Sequence, residues 1–289
     1  MPSYRVTTVN RGEFEDQYAE RLNDYAWVFL AEGDSWFSYG SLKLRNVLRD
    51  LHLPQRTLVL NIAQPGDTLR RMHETCRNPE LYWFLKNRSG RRWDAILLSG
   101  GGNDVIDAAW NARIGAPEIF VRPADPASIT RANLRTLLKQ PAYDALFEYV
   151  AANVQQIVLQ GRDQAGGNSV GVPLIMHTYA LVQPRNAPVK VLGLGPWLYQ
   201  ACVWLGIDQA LWIDVARTVL SDLATTLNRL HLPNFHVIDT LALTTSIVPA
   251  APGSTADSND WENEIHPNRS GYRKLAATWS EEIARILSS

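Results

Sequence analysis

The chain has 289 residues, 46% of them hydrophobic, which is enough to bury a sizeable core and excludes a disordered chain. Its 28 basic and 29 acidic residues leave a net charge of −1, so no overall field favours nucleic acid or an anionic lipid surface. Two cysteines, Cys76 and Cys202, are too few and too widely spaced for a disulfide framework or a zinc knuckle.

Met1-Pro2-Ser3-Tyr4-Arg5 lacks the charged-then-apolar pattern of a signal peptide, and no apolar run is long enough to span a bilayer. The expectation is a soluble, cytoplasmic protein. Residues 1–25 are polar and charged and are expected to form a helix or arm. Trp27-Val28-Phe29-Leu30 is aromatic, β-branched and aliphatic, the composition of a buried strand, and Gly33 lets the chain turn sharply at its end. The turn presents Gly33-Asp34-Ser35. Residues 41–51 carry apolar side chains at helical spacing, with Ser41 as a plausible cap.

A second strand is expected over 57–63, followed by the turn Gln64-Pro65-Gly66-Asp67-Thr68 and a helical stretch. A third, Ala95-Ile96-Leu97-Leu98-Ser99, runs into Gly100-Gly101-Gly102-Asn103-Asp104. Pro117, Pro123 and Pro126 make the segment near 107–128 an insertion. Helical patterns follow at 129–139 and 142–162, separated at Pro141, which cannot donate the helical hydrogen bond. A fourth strand is expected over 172–178 and a fifth over 235–239, with a long helix over 209–230 between them. A second insertion, near 184–207, is apolar and aromatic; the stretch 193–212 has the composition of a lid or of core, and Trp197 is its candidate substrate contact. Strands alternating with helices imply an α/β protein with a five-stranded parallel sheet covered on both faces. No repeat or linker divides the chain, so a single domain over 1–289 is expected.

In such a sheet, ligands collect beyond the carboxyl ends of the strands. Ser35, Gly66 and Asn103 each lie just past one. A serine hydroxyl needs a base to become a nucleophile, and the oxyanion it creates needs preorganised donors. The N–H groups of Ser35 and Gly66 and the amide of Asn103 could supply three. Of the six histidines, His266 stands in a loop before the last helix, and Pro267 biases it to an extended conformation. His177 ends the fourth strand and could line the cleft.

Gly33-Asp34-Ser35, the Gly66 turn, Gly102-Asn103-Asp104 and His266-Pro267 occur in the order of the four blocks of the SGNH/GDSL hydrolases, and from Trp27 onward the chain resembles that superfamily. The resemblance implies a flavodoxin-like three-layer α/β/α sandwich and an esterase or lipase activity on a small-molecule ester; the aromatic and apolar stretch from Trp197 to Trp212 would suit a short acyl chain or an apolar alcohol. The resemblance further implies Ser35 as nucleophile, His266 as base, an oxyanion hole of Ser35, Gly66 and Asn103, and no metal or organic cofactor. One position departs from the family: Asn263 stands where an aspartate is usual, three residues before His266. The Asn263 carbonyl could hold the imidazole tautomer, Glu262, Glu264 or Asp260 could swing in as the acid, or a Ser–His dyad could operate with a backbone carbonyl as orienter. Of the acids Glu264, two residues away and so on the same side of an extended segment, is the expected one.

Two rival readings remain open on sequence alone. Asp34, Asp67, Asn103, His177 and His266 are all ligand types at expected strand ends and would suit a metal-dependent phosphoesterase. Alternatively, Asn263 would suit a non-catalytic ligand-binding protein on a hydrolase fold.

Overall fold

The structure, a computed structural model, describes residues 3–38, 46–74, 78–86, 92–163, 167–189, 194–243 and 246–288. Its centre is a sheet of six strands: β1 (Thr7–Val9), β2 (Trp27–Gly33), β3 (Thr57–Asn61), β4 (Ala95–Ser99), β5 (Leu174–His177) and β6 (Phe235–Ile238). They lie in the order β1-β3-β2-β4-β5-β6, every neighbouring pair parallel.

The expected count of five strands is therefore corrected to six. The sixth is β1, which falls inside the stretch expected to be helix or arm. It is a three-residue edge strand paired on one side only, too short to show a period, although Thr7-Thr8-Val9 is β-branched throughout. The remainder of that stretch, from Arg11 to Asp24, is helical.

β2 and β4 are central and covered on both faces, so they read as continuous apolar runs: Val28, Phe29, Leu30 and Ala31 are buried, as are Ala95 through Leu98. After β3 the chain crosses β2 to add β4 on its other side. This reversal makes the carboxyl ends of β2 and β4 a topological switch point, where a crevice opens.

The longer helices are α1 (Gly102–Ala109), α2 (Ala142–Gln156), α3 (Leu198–Leu205), α4 (Trp212–Asn228) and α5 (Arg269–Leu287). α4 buries Val215, Val219, Leu220, Leu223 and Leu227, the i, i+4 stripe of an amphipathic helix, and packs on α2 and α3. α5 packs on β6 and on the turn Val47–Asp50. Each leucine so buried stabilises the fold by about 2 kcal/mol.

Two expected helices are corrected. The turn Val47–Asp50 is a 3-10 helix capped by Asn46, and Ser41 lies outside the described residues. Over 129–139 only Leu134–Leu137 is helical, again 3-10. Here the backbone bonds outward instead, Val121 N to Leu137 O and Lys139 N to Ile119 O, so the apolar spacing serves an irregular strap. Among the described residues no helix is long and apolar enough to cross a membrane.

Candidate active site

β2 delivers Asp34 and Ser35 to the crevice because Gly33 leaves room for it. A Cβ on Gly33 would sit 2.6 Å from both the Cβ and the carbonyl oxygen of Ser99, its register partner on β4. The ladder continues one step past the strands through Asp34 N to Ser99 O, 3.0 Å. Asp34 Oδ1 then accepts the N–H of Trp36 at 2.9 Å, bending the backbone around Ser35.

Ser35 Oγ lies 2.7 Å from His266 Nε2, across 231 positions of sequence. His266 reaches it from a loop folded by local bonds: Trp261 bridges to Ser258 and to Pro267, and Asn268 caps α5 by accepting from Gly271 N at 3.1 Å. A second tie joins this loop to the turn that bears Ser35, since Trp36 Nε1 donates to Ile265 O at 3.1 Å.

Behind the imidazole stands Asn263. Its Oδ1 accepts from His266 Nδ1 at 3.0 Å and from the backbone N–H groups of Ile265 and His266 at 3.1 and 2.9 Å. An atom facing three donors is the amide oxygen, so Nδ1 carries the hydrogen and Nε2 is a free base toward Ser35. Asn263 Nδ2 is buried with no partner among the described residues. Burial holds His266 well below the ordinary histidine value, at about 3, so the ring is neutral.

Glu264, expected to orient His266, does not do so. Its carboxylate accepts the backbone N–H groups of Trp197 and Tyr199 at 2.5 and 2.6 Å and that of Arg185 at 3.4 Å, anchoring the start of α3. Burial raises it to about 7. The side-alternation argument fails because 263–266 is a turn closed by Asn263 Oδ1, which brings position i beside i+3. Arg185, which sequence reasoning missed, is fully buried and donates to Asn263 O at 2.8 Å and to Trp261 O at 3.3 Å, holding this loop from behind.

The oxyanion candidates separate. Asn103, in the first turn of α1, shares a cavity with Ser35 and donates one amide hydrogen to Asp67 O at 2.8 Å. Gly66, at φ +81°, turns the chain after β3 and is outside that cavity's wall. The cavity measures about 40 Å³, and its far wall is apolar: Ile106, Val182, Leu198, Val219 and Leu220. Trp197, the expected substrate contact, lines a separate cleft with Trp110 and Tyr149; its neighbour Leu198 lines the cavity that Ser35 lines.

His177, expected to line the cleft, is buried beneath it. Nδ1 is 2.8 Å from Thr178 O, Nε2 is 2.8 Å from Ser99 Oγ, and the ring stacks on Trp36 with centroids 5.5 Å apart. Ser99 Oγ lies 2.7 Å from Asp34 Oδ1, and Tyr179 OH donates to Asp34 Oδ2. Of the side chains expected in a metal site, Asp34, His177 and His266 bond to other residues, and among the described residues no group of three or more His, Cys, Asp or Glu is placed to hold an ion.

No family model matches the chain, and no curated protein matches it. Among solved structures it is similar to a lipase from a goat rumen metagenome, at 13% identity over 88% of this chain and 96% of that one, with a TM-score of 0.49. It is likewise similar to an extracellular lipase from Streptomyces rimosus, at 13% identity over 91% and 99%, TM-score 0.49. An acetyl xylan esterase, AlAXEase, matches at 14% identity over 89% and 99%, TM-score 0.41.

Proposed function

We propose that this chain is a serine hydrolase of carboxylic esters, of the SGNH/GDSL type its ordered motifs resemble. The single observation that carries the reading is the continuous run from Ser35 Oγ through His266 Nε2 and Nδ1 to Asn263 Oδ1. The six-stranded parallel sheet accords with a flavodoxin-like α/β/α sandwich, and the reading takes 1–289 as one domain.

Ser35 Oγ adds to the ester carbonyl carbon as its proton passes to His266 Nε2. The carbonyl electron pair moves to oxygen, and this oxyanion is met by the N–H of Ser35 and the second amide hydrogen of Asn103, Gly66 lying outside the cavity's wall. Each such donor is worth about 3 kcal/mol in the transition state. Collapse of the adduct breaks the ester bond, and the departing alkoxide takes the proton from Nε2. Water then repeats the sequence on the acyl-serine, releasing the acid and restoring the hydroxyl.

The small apolar cavity beside Ser35 favours a short acyl group. Asn263 fixes the tautomer of His266 but offers no charge to the imidazolium, so the proposed enzyme is a slow one relative to an Asp-bearing relay. Hydrolysis of p-nitrophenyl acetate and covalent labelling by a fluorophosphonate test the reading. Both are expected in the wild type and absent in Ser35→Ala; a wild type that neither turns over nor labels overturns it.

A further inference from the structure

Beneath the nucleophile, hydrogens can be counted. Thr178 O only accepts, so His177 Nδ1, 2.8 Å away, carries its hydrogen. In a neutral ring Nε2 is then bare and needs a donor, and its partner is the hydroxyl of Ser99 at 2.8 Å. That hydroxyl has one hydrogen, yet Asp34 Oδ1 stands 2.7 Å on its other side. Two close contacts share one proton. An ionised carboxylate there would set two bare acceptors against each other, since Ser99 has already donated to the ring.

We propose that Asp34 is protonated in the folded protein and donates to Ser99 Oγ, which in turn donates to Nε2 of a neutral His177, making Asp34 a positioning residue that places no negative charge beside Ser35. Every contact in the run is then a donor facing an acceptor. The alternative, an imidazolium facing a carboxylate, would bury two charges in a cage of Trp36, Phe37, Trp279 and Tyr179 rings. The titratable neighbours divide. Tyr179 OH, donating to Oδ2, favours a charged carboxylate, while the carboxyls of Asp67 and Asp104 oppose a charge on Asp34, and burial outweighs the donors. Burial pushes both groups toward their neutral forms, raising Asp34 and lowering His177 to about 3.

The consequence for the proposed esterase is electrostatic. Asp34 Oδ1 also accepts Trp36 N–H and so shapes the turn that aims the Ser35 N–H at the oxyanion. A neutral carboxyl can do this without repelling the charge that develops there. The inference rests on the serine-hydrolase reading only for this kinetic consequence.

The test uses full-length protein labelled with carboxyl-13C aspartate and 15N histidine, the Asp34 resonance being assigned by its loss in Asp34→Asn. At neutral pH the wild type is expected to show a protonated Asp34 and a neutral His177 bearing hydrogen on Nδ1. In His177→Phe, which keeps an aromatic ring in the cage, Ser99 is free to donate to Asp34. The carboxyl is then expected to ionise, and kcat to fall about tenfold, the size of one pKa unit of charge interaction, with KM unchanged. An ionised Asp34 in the wild type, beside either form of His177, overturns the proposal, as does an Asp34 that stays protonated in His177→Phe. The wild-type spectrum decides even if His177→Phe does not fold. It also needs no substrate, so loss of the esterase reading and loss of this one are told apart.

Discussion

Asn263 Oδ1 and His266 Nδ1 are 3.0 Å apart, joined by a hydrogen bond that orients the imidazole without offering it a counter-charge. In a serine protease, exchange of the corresponding aspartate for asparagine costs about four orders of magnitude in turnover. The reverse change is therefore informative. Asn263→Asp is expected to raise kcat on p-nitrophenyl acetate by at least about tenfold. It also removes a buried amide nitrogen that has no partner among the described residues. A nearby carboxylate favours the imidazolium, so the acid limb of the kcat/KM profile, set by a ring now held at about 3, should move to higher pH. Unchanged or lower turnover in a folded Asn263→Asp protein counts against the relay.

The buried carboxyls and histidines pull stability in opposite directions with pH. His177 and His266 are both held at about 3 against an ordinary 6.5, so in that window the unfolded chain binds protons that the folded one refuses, and stability falls as pH falls. Glu32 and Glu264 are raised from 4.5 to about 8 and about 7, so the folded chain holds protons the unfolded one has released, and stability falls as pH rises through that range. Above pH 6.5 the histidines no longer act, while the glutamates do, with the buried Asp34 carboxyl raised in the same direction. Urea denaturation is expected to give an unfolding free energy at least about 2 kcal/mol lower at pH 8 than at pH 6.5. Glu32→Gln should flatten that slope; equal stability at the two pH values would show that these carboxyls are ionised in the fold.

Glu264 anchors α3 and does not orient the base. Glu264→Ala strips acceptors from the N–H groups of Trp197 and Tyr199 and should lower stability by about 3 kcal/mol, seen as a fall in Tm. Glu264→Gln keeps one acceptor oxygen and should recover part of the loss. A pH–rate profile unchanged in its acid limb by Glu264→Gln would separate this anchoring role from a part in the proton relay.

Leu220 walls the cavity beside Ser35 from α4. Leu220→Ala opens space on the acyl side and is expected to raise kcat/KM for butyrate relative to acetate by about tenfold, the worth of one or two methylenes in an apolar pocket. The same change should destabilise the fold by about 2–3 kcal/mol through the void it leaves. If an ester panel keeps its order of preference, the acyl group binds elsewhere.

The central strands were legible because burial on both faces writes them as unbroken apolar runs, and the loops after them follow by the same logic. β1 was not, since an edge strand of three residues leaves no period to read. At the site, the order of Ser35, Asn103 and His266 could be read along the chain, whereas partners set by three-dimensional packing could not. Ser99, Tyr179 and Arg185 are ordinary polar residues in sequence. Their roles arise from β4 meeting β2 in register and from a guanidinium enclosed by a distant loop. The choice of Glu264 over Asn263 failed for a local reason, because alternation of sides holds for an extended chain and 263–266 is a turn.

The bond from Trp36 Nε1 to Ile265 O spans 229 positions and fastens the first part of the site to the last. During synthesis the strand bearing Ser35 emerges early, and the loop bearing His266 emerges only with the final helix. A chain lacking that segment leaves the proposed nucleophile without its proposed base. The proposed relay is assembled by a contact of long sequence separation, which ties its reactivity to folding of the segment that bears His266.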